Sequence, residues 1–263
     1  MSKLPSSIPA AFLAQSEQQG VRFDEGDLER LDRYLDLLYD ANTRFNLTAV
    51  SDRAVAWTRH IFDSLTLIAL LAELQTDFAD EGPSAPGLRG AAHALRVIDI
   101  GSGGGLPGIP LAICMPTVQF TLLEATGKKA DFLRETAEEL GLRNVTVVAE
   151  RAEIAAAAPT ATSPGGALRE SYDAVIARAV GPLQVLLELT IPFAMVGGLV
   201  LAIKGEKAAG EVEASRQALH RLHAGVLDML RTPTGTIVIV EKRRPTPRQY
   251  PRAPGEPKRK PLG

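Results

Sequence analysis

A chain of 263 residues, 45% of them hydrophobic, can bury one substantial core with a small appendage. Its one cysteine, Cys114, excludes an internal disulfide framework and suits a reducing cytoplasm; without a long apolar region at the N-terminus or an apolar run near eighteen residues, neither a secretory leader nor a membrane span is expected. The net charge of −2 hides an asymmetry, because residues 242–263 carry eight Lys or Arg against one Glu, or +7, which leaves −9 for residues 1–241.

Residues 1–94 read as a helical cap and linker. Leu28, Leu31, Leu35 and Leu38 recur at helical spacing, and a second helix is expected over residues 52–71. On it, Trp57 is expected in the core or an interface, and His60 and Asp63, three apart, are expected to brace the cap against a sheet. Asn46, Leu47 and Thr48 match a glycosylation acceptor in form only, since the expected compartment is cytoplasmic. Residues 77–93, rich in Gly, Pro and Ala, read as the linker.

The most informative stretch is RVIDIGSGGGLPGIPLAI, residues 96–113. Val97, Ile98 and Ile100 suit a buried parallel strand, and the glycines that follow let a ligand lie against bare backbone where a helix begins. A phosphate-binding loop would need Lys and then Ser or Thr after the last glycine; Leu106, Pro107 and Gly108 stand there instead. Gly103, Gly105 and Gly108 do match the G-x-G-x-x-G of dinucleotide folds, which keeps a nicotinamide-dependent oxidoreductase open as the alternative. The register Asp99, Gly101, Gly103, Gly105 instead resembles the first motif of S-adenosylmethionine-dependent methyltransferases.

Further along, residues 120–125 read as a second strand ending in Glu124, placed to accept hydrogen bonds from ribose hydroxyls or to cap the helix expected over residues 128–140. Strands are expected at residues 145–150, 172–180 and 198–205, with a closing hairpin formed by GVLDMLR and TIVIVEKR. The fold class is therefore α/β: a Rossmann-like, seven-stranded, mostly parallel sheet over residues 95–244 with an antiparallel edge and the N-terminal helical cap. Residues 155–171 read as a surface loop. His220 and His223 have a metal-compatible spacing but no nearby third ligand, so no metal is expected. The basic, proline-rich tail, residues 245–263, is expected to be extended and to lie along a polyanion, or to be a solubilising tail.

NLTAV (46–50), RHIFDSL (59–65), DIGSGGGLPGIPLAI (99–113), IARAVGPL (176–183), LAIKG (201–205) and PTPRQYPRAPGEPKRKPL (245–262), in this order, resemble the bacterial 16S ribosomal RNA guanine-N7 methyltransferase G family, also called glucose-inhibited division protein B. The resemblance implies a class I S-adenosylmethionine-dependent methyltransferase acting on N7 of a guanine in the 530 loop of 16S ribosomal RNA, as naked RNA or in a small subunit. It implies cofactor contacts at Gly101, Leu106, Ala152, Glu153 and Arg178, beside Asp99, Gly103, Gly105 and Glu124 of the motif reading. Arg178, alone in an apolar strand, needs a partner: a cofactor carboxylate, an RNA phosphate, or an internal ion pair with Asp99 or Glu124. No general base is expected, because guanine N7 carries a lone pair and no proton. Candidate RNA contacts are Arg59, Lys204 and, in the tail, Arg248, Tyr250, Arg252, Lys258, Arg259 and Lys260. A cytoplasmic monomer without membrane contact is expected.

Overall fold

The computed structural model describes residues 7–80, 94–157 and 168–263. The linker expected over 77–93 and the loop over 155–171 fall largely outside them. Helices α1 (Ala10–Gln18) and α2 (Asp27–Asn42) open the chain; α3 (Arg53–Ala56), a π turn (Trp57–Phe62) and α4 (Asp63–Leu65) lead on to α5 (Ile68–Asp80). In α2, Leu31, Tyr34, Leu35, Leu38 and Ala41 are buried at helical spacing, so one stripe faces inward. The helical run Arg53–Thr76 is by length and composition apolar enough to cross a membrane, and more than half of its apolar stretch is buried within the fold. Trp57 is fully buried there, against Phe12 of α1.

The core alternates strands and helices: β1 (Arg96–Ile100), α6 (Gly108–Cys114), β2 (Gln119–Leu123), α7 (Gly127–Glu139), β3 (Val145–Val148), α8 (Ala152–Ala155), β4 (Tyr172–Arg178), α9 (Leu183–Thr190), β5 (Ala194–Lys204), α10 (Ala208–Ala214) and α11 (Arg216–Arg221). The hairpin β6 (Ala224–Thr232) and β7 (Gly235–Lys242) closes it, giving a seven-stranded sheet ordered β3-β2-β1-β4-β5-β7-β6. The first five strands run parallel, and β7 is antiparallel to both its neighbours. Because strand side chains alternate, each strand feeds two cores. Val97, Leu201 and Ile237 pack with the cap, α6 and α7, whereas Ile98, Val200 and Val238 pack with α9 and α11. Strand order reverses between β1 and β4, and the crevice beyond their carboxyl ends is where such sheets take ligands.

The expected fold class is the one observed, with differences at the edges. Strand β3 stops at Val148 and β5 begins at Ala194, and the nine-residue α1 is an element the sequence pattern does not predict. The larger difference is the tail. Lys242, fully buried, donates to Glu170 Oε1 at 2.8 Å and to the carbonyls of Ile191 and Ala194, and the same Glu170 oxygen accepts the Thr246 N–H. Arg169 then donates to the Thr246 and Tyr250 carbonyls, and Arg252 forks onto the fully buried Glu188 of α9 at 2.6 and 2.9 Å. Tyr250 and Leu262 join the α9 core, and a short helix, α12 (Glu256–Arg259), ends the run. The tail is thus strapped across α9 rather than extended free of the core. Its composition displays the charges but not the buried carboxylate that one of them meets.

Candidate functional site

Strand β1 delivers its last residue into the glycine turn. Gly101 and Ser102 N–H both reach the Leu123 carbonyl at the end of β2, at 2.8 and 3.2 Å, which stitches the turn to the neighbouring strand. Gly101 and Gly103 sit at φ +71° and +56°, in the left-handed region that costs other residues free energy. Gly108 is required for another reason: a Cβ there would overlap the Leu122 side chain, so its absence lets α6 press onto β2. Glu124 spans the turn, with Oε2 accepting from Gly103 N–H at 2.9 Å and Oε1 from Thr126 N–H at 2.8 Å. The carboxylate therefore shapes both the turn and the entry to α7.

Asp99 is fully buried; its Oδ2 accepts from Gly108 N–H at 3.1 Å, while Oδ1 has no partner among the described residues. Burial pushes its carboxyl up to about 7. Gly105 and Leu106 complete the turn, their N–H groups both donating to the Ser102 carbonyl, and Leu106 packs into the cap-side core.

Beside the turn lies a cavity of about 210 Å³. Gly101, Leu123 and Val180 line it from the ends of β1, β2 and β4, Ala152 and Glu153 from the start of α8, and Val185 and Leu189 from α9. A Cβ on Gly101 would stand 3.4 Å from Val180 Cγ2, an ordinary contact, so it is the positive φ and not crowding that favours glycine at this wall.

A sequence profile of the family described as rRNA small subunit methyltransferase G matches residues 27–95 and 88–235. Ribosomal RNA small subunit methyltransferase G of Sorangium cellulosum is 41% identical over 94% of this chain and 93% of its own, and that of Chloroflexus aggregans 40% over 92% and 93%. The chain belongs to this family. It is accordingly an S-adenosylmethionine-dependent methyltransferase of ribosomal RNA. Among solved structures, a putative O-methyltransferase from Klebsiella pneumoniae shares the fold with a TM-score of 0.55 at 18% identity, covering 88% of this chain and 97% of its own. Cofactor-bound Rv0187 from MTB does so with a TM-score of 0.54 at 18% identity, covering 92% and 100%. The nicotinamide reading of Gly103, Gly105 and Gly108 is overturned by the family match. The sheet agrees, since an antiparallel β7 stands between β5 and β6 where the dinucleotide fold continues in parallel.

The cavity of this methyltransferase suits S-adenosylmethionine in its chemistry. Leu123, Val180, Val185 and Leu189 offer apolar walls for a purine, Glu153 an acceptor, and the Gly101 backbone a close approach for the remainder.

Arg178, at the end of β4, does not pair with Asp99 or Glu124. Its Nη1 donates to Asp63 Oδ2 at 3.2 Å and to the Arg59 carbonyl at 2.8 Å, and the Thr234 hydroxyl of the β6–β7 hairpin donates to Asp63 Oδ1. The cap, the sheet and the hairpin meet on one carboxylate. His60 bonds Thr48 Oγ1 through Nε2 at 2.6 Å, and burial together with the Arg178 charge lowers its pKa to about 4, so it stays neutral.

A second, polar cleft of about 440 Å³ opens beside this junction, between the cap and the hairpin. The exposed Arg59 and Arg231 line it without an ion pair among the described residues, together with Thr58, Thr232 and Thr234. Arg231 is not legible in the sequence, where it is one cation in a hairpin strand. Lys204 is drawn back from solvent: its Nζ pairs with Glu211 and donates to the Gly181 carbonyl, both at 2.7 Å. Of the tail candidates, Tyr250 is buried in the core and Arg252 is committed to Glu188. Arg248, Arg259 and Lys260 are exposed, and Lys258 lines the cavity beside Gly101. Among the described residues no group of three potential metal ligands is assembled, and His223 bonds the Pro245 carbonyl.

Proposed function

We propose that this enzyme methylates N7 of a guanine in the 530 loop of 16S ribosomal RNA, holding the cofactor in the cavity beside Gly101 and the RNA in the cleft of Arg59 and Arg231. The observation that carries this reading is that Arg178 ties a residue of the cleft to the strand whose continuation lines the cavity. Two residues after it, Val180 lines the cavity, and its guanidinium bonds the carbonyl of Arg59, which lines the cleft.

Bound S-adenosylmethionine supplies an electrophilic methyl group. Guanine N7 offers an in-plane lone pair and no proton, so the protein has nothing to deprotonate and its contribution is orientation. The turn from Gly101 to Gly105 and the carboxylates of Glu124 and Glu153 form the cofactor side. Arg178, fixed by Asp63, separates the two spaces and sets their spacing. Arg59 and Arg231 neutralise phosphates of the acceptor while the threonine hydroxyls give weaker, sequence-neutral contacts. A looped acceptor suits this arrangement, because stacked duplex shields N7 from a narrow site. The exposed Arg248, Arg259 and Lys260 extend the cationic surface.

The test is transfer of labelled methyl to small-subunit RNA from cells lacking the enzyme, supplied naked and as subunits, with the modified atom mapped. Label on N7 of a 530-loop guanine is the expected result. Label on another base or atom overturns the assignment of the acceptor and leaves the reaction class in place.

A further inference from the structure

The tail, whose charge alone suggests a polyanion-binding arm, runs along the cavity beside Gly101. Gly255, Pro257 and Lys258 line the same cavity as Gly101 and Glu153. The Gly255 N–H donates to Glu153 Oε1 at 2.8 Å, from a residue whose φ of +79° turns the chain into α12. Pro257 is buried, sharing the apolar side of the cavity with Val185 and Leu189. Three residues before Gly255, the Arg252–Glu188 pair fastens the strap to α9, on a carboxylate that has no exposure to water.

We propose that residues 255–258 are a working part of the cofactor site, so that docking of the tail and binding of S-adenosylmethionine are coupled. Release of the turn would open one apolar wall and free the Glu153 carboxylate from the N–H that orients it. A ligand that fills the cavity touches the docked turn and not the released one, so it holds the tail down; by linkage, loosening the tail weakens the ligand by the same factor. Arg252, which does not line the cavity, acts as a positioning residue through the turn it fastens.

The proposal rests on the cavity being the cofactor's, and the experiment separates the two ideas. S-adenosylhomocysteine is titrated by calorimetry against the full chain, Arg252→Ala and Pro257→Asp, with amide hydrogen exchange followed in each, with and without ligand. Expected are slower exchange at Gly255, Glu256 and Lys258 when the parent is saturated, and binding weaker by about tenfold or more in both variants while their melts stay cooperative. Parent-like affinity in a variant whose exchange shows the turn released overturns the coupling. So does binding by the parent with no change of exchange at those amides, a readout that stands even if Arg252→Ala does not fold. A parent that does not bind S-adenosylhomocysteine overturns the reading of the cavity, and the coupling with it.

Discussion

Tyr34, midway along α2, donates its hydroxyl to the Gly104 carbonyl at 2.7 Å across 70 residues of sequence. The cap thereby holds the glycine turn from behind. Burial pushes the Tyr34 hydroxyl far above its ordinary range, so it remains a donor at any working pH. Tyr34→Phe keeps the packing and leaves a buried carbonyl without its partner, at about 1–3 kcal/mol. Urea unfolding should show that loss, and an unchanged midpoint would mean that the turn holds itself.

Asp99 makes stability depend on pH. Its folded carboxyl titrates near 7 against an ordinary 3.8, so between those values the folded chain holds a proton that the unfolded chain has released. Stability from this group is complete below the ordinary carboxylate range and is lost as pH rises through about 7. Asp99→Asn should flatten the stability profile of the cofactor-free enzyme over that window by about 1.4 kcal/mol per pH unit, and should make the protein more stable than the parent at pH 8. Parallel profiles for the two proteins would show that Asp99 is ionised throughout.

Gly103→Asp separates folding from binding. A Cβ at Gly103 meets nothing nearer than the Gly101 carbonyl at 3.8 Å, so the cost to the fold is the positive φ, about 1 kcal/mol, which aspartate tolerates better than most. The added carboxylate instead stands beside Glu124, which accepts that residue's own N–H. Affinity for S-adenosylhomocysteine should fall at least about a hundredfold while the melt stays cooperative, because the added side chain stands where a ligand would lie against bare backbone; repulsion from Glu124 acts with and without ligand and adds to the cost in stability. Parent-like affinity would move the cofactor away from the turn.

For the RNA side, Arg59→Glu and Arg231→Glu should each weaken RNA binding and leave S-adenosylhomocysteine affinity unchanged. For every phosphate that an arginine no longer neutralises, the slope of log affinity against log salt should become shallower by about 0.7, the value for single strands. A slope equal to the parent's would remove the cleft from the RNA path. Lys204→Ala is the contrast: its partners are Glu211 and Gly181, so stability should change more than the salt slope does.

What can be read from the sequence is local. The β1 strand, the glycine turn, Glu124 and the closing hairpin lie in short runs where spacing alone carries the geometry. Partners of charges are not legible, because each is distant in the chain. Arg178 finds Asp63 115 residues away, and Arg252 finds Glu188 64 residues away. A cation in a sequence displays its charge and not whether a buried carboxylate awaits it; hence Lys204 and Arg252 read as ligand contacts, while Arg231, one residue among several in a strand, gives no signal. Helix α1 escapes a periodicity argument because only Phe12 and Ser16 of its nine residues are buried, too few to make a stripe.

The carboxylate of Asp63 is gripped from two sides, by Arg178 of the sheet and by Thr234 of the hairpin, while its own backbone belongs to the cap. Three pieces of the molecule are pinned at one point, so a single carboxylate serves as the keystone of cap, sheet and hairpin: take it away and all three lose a common anchor at once.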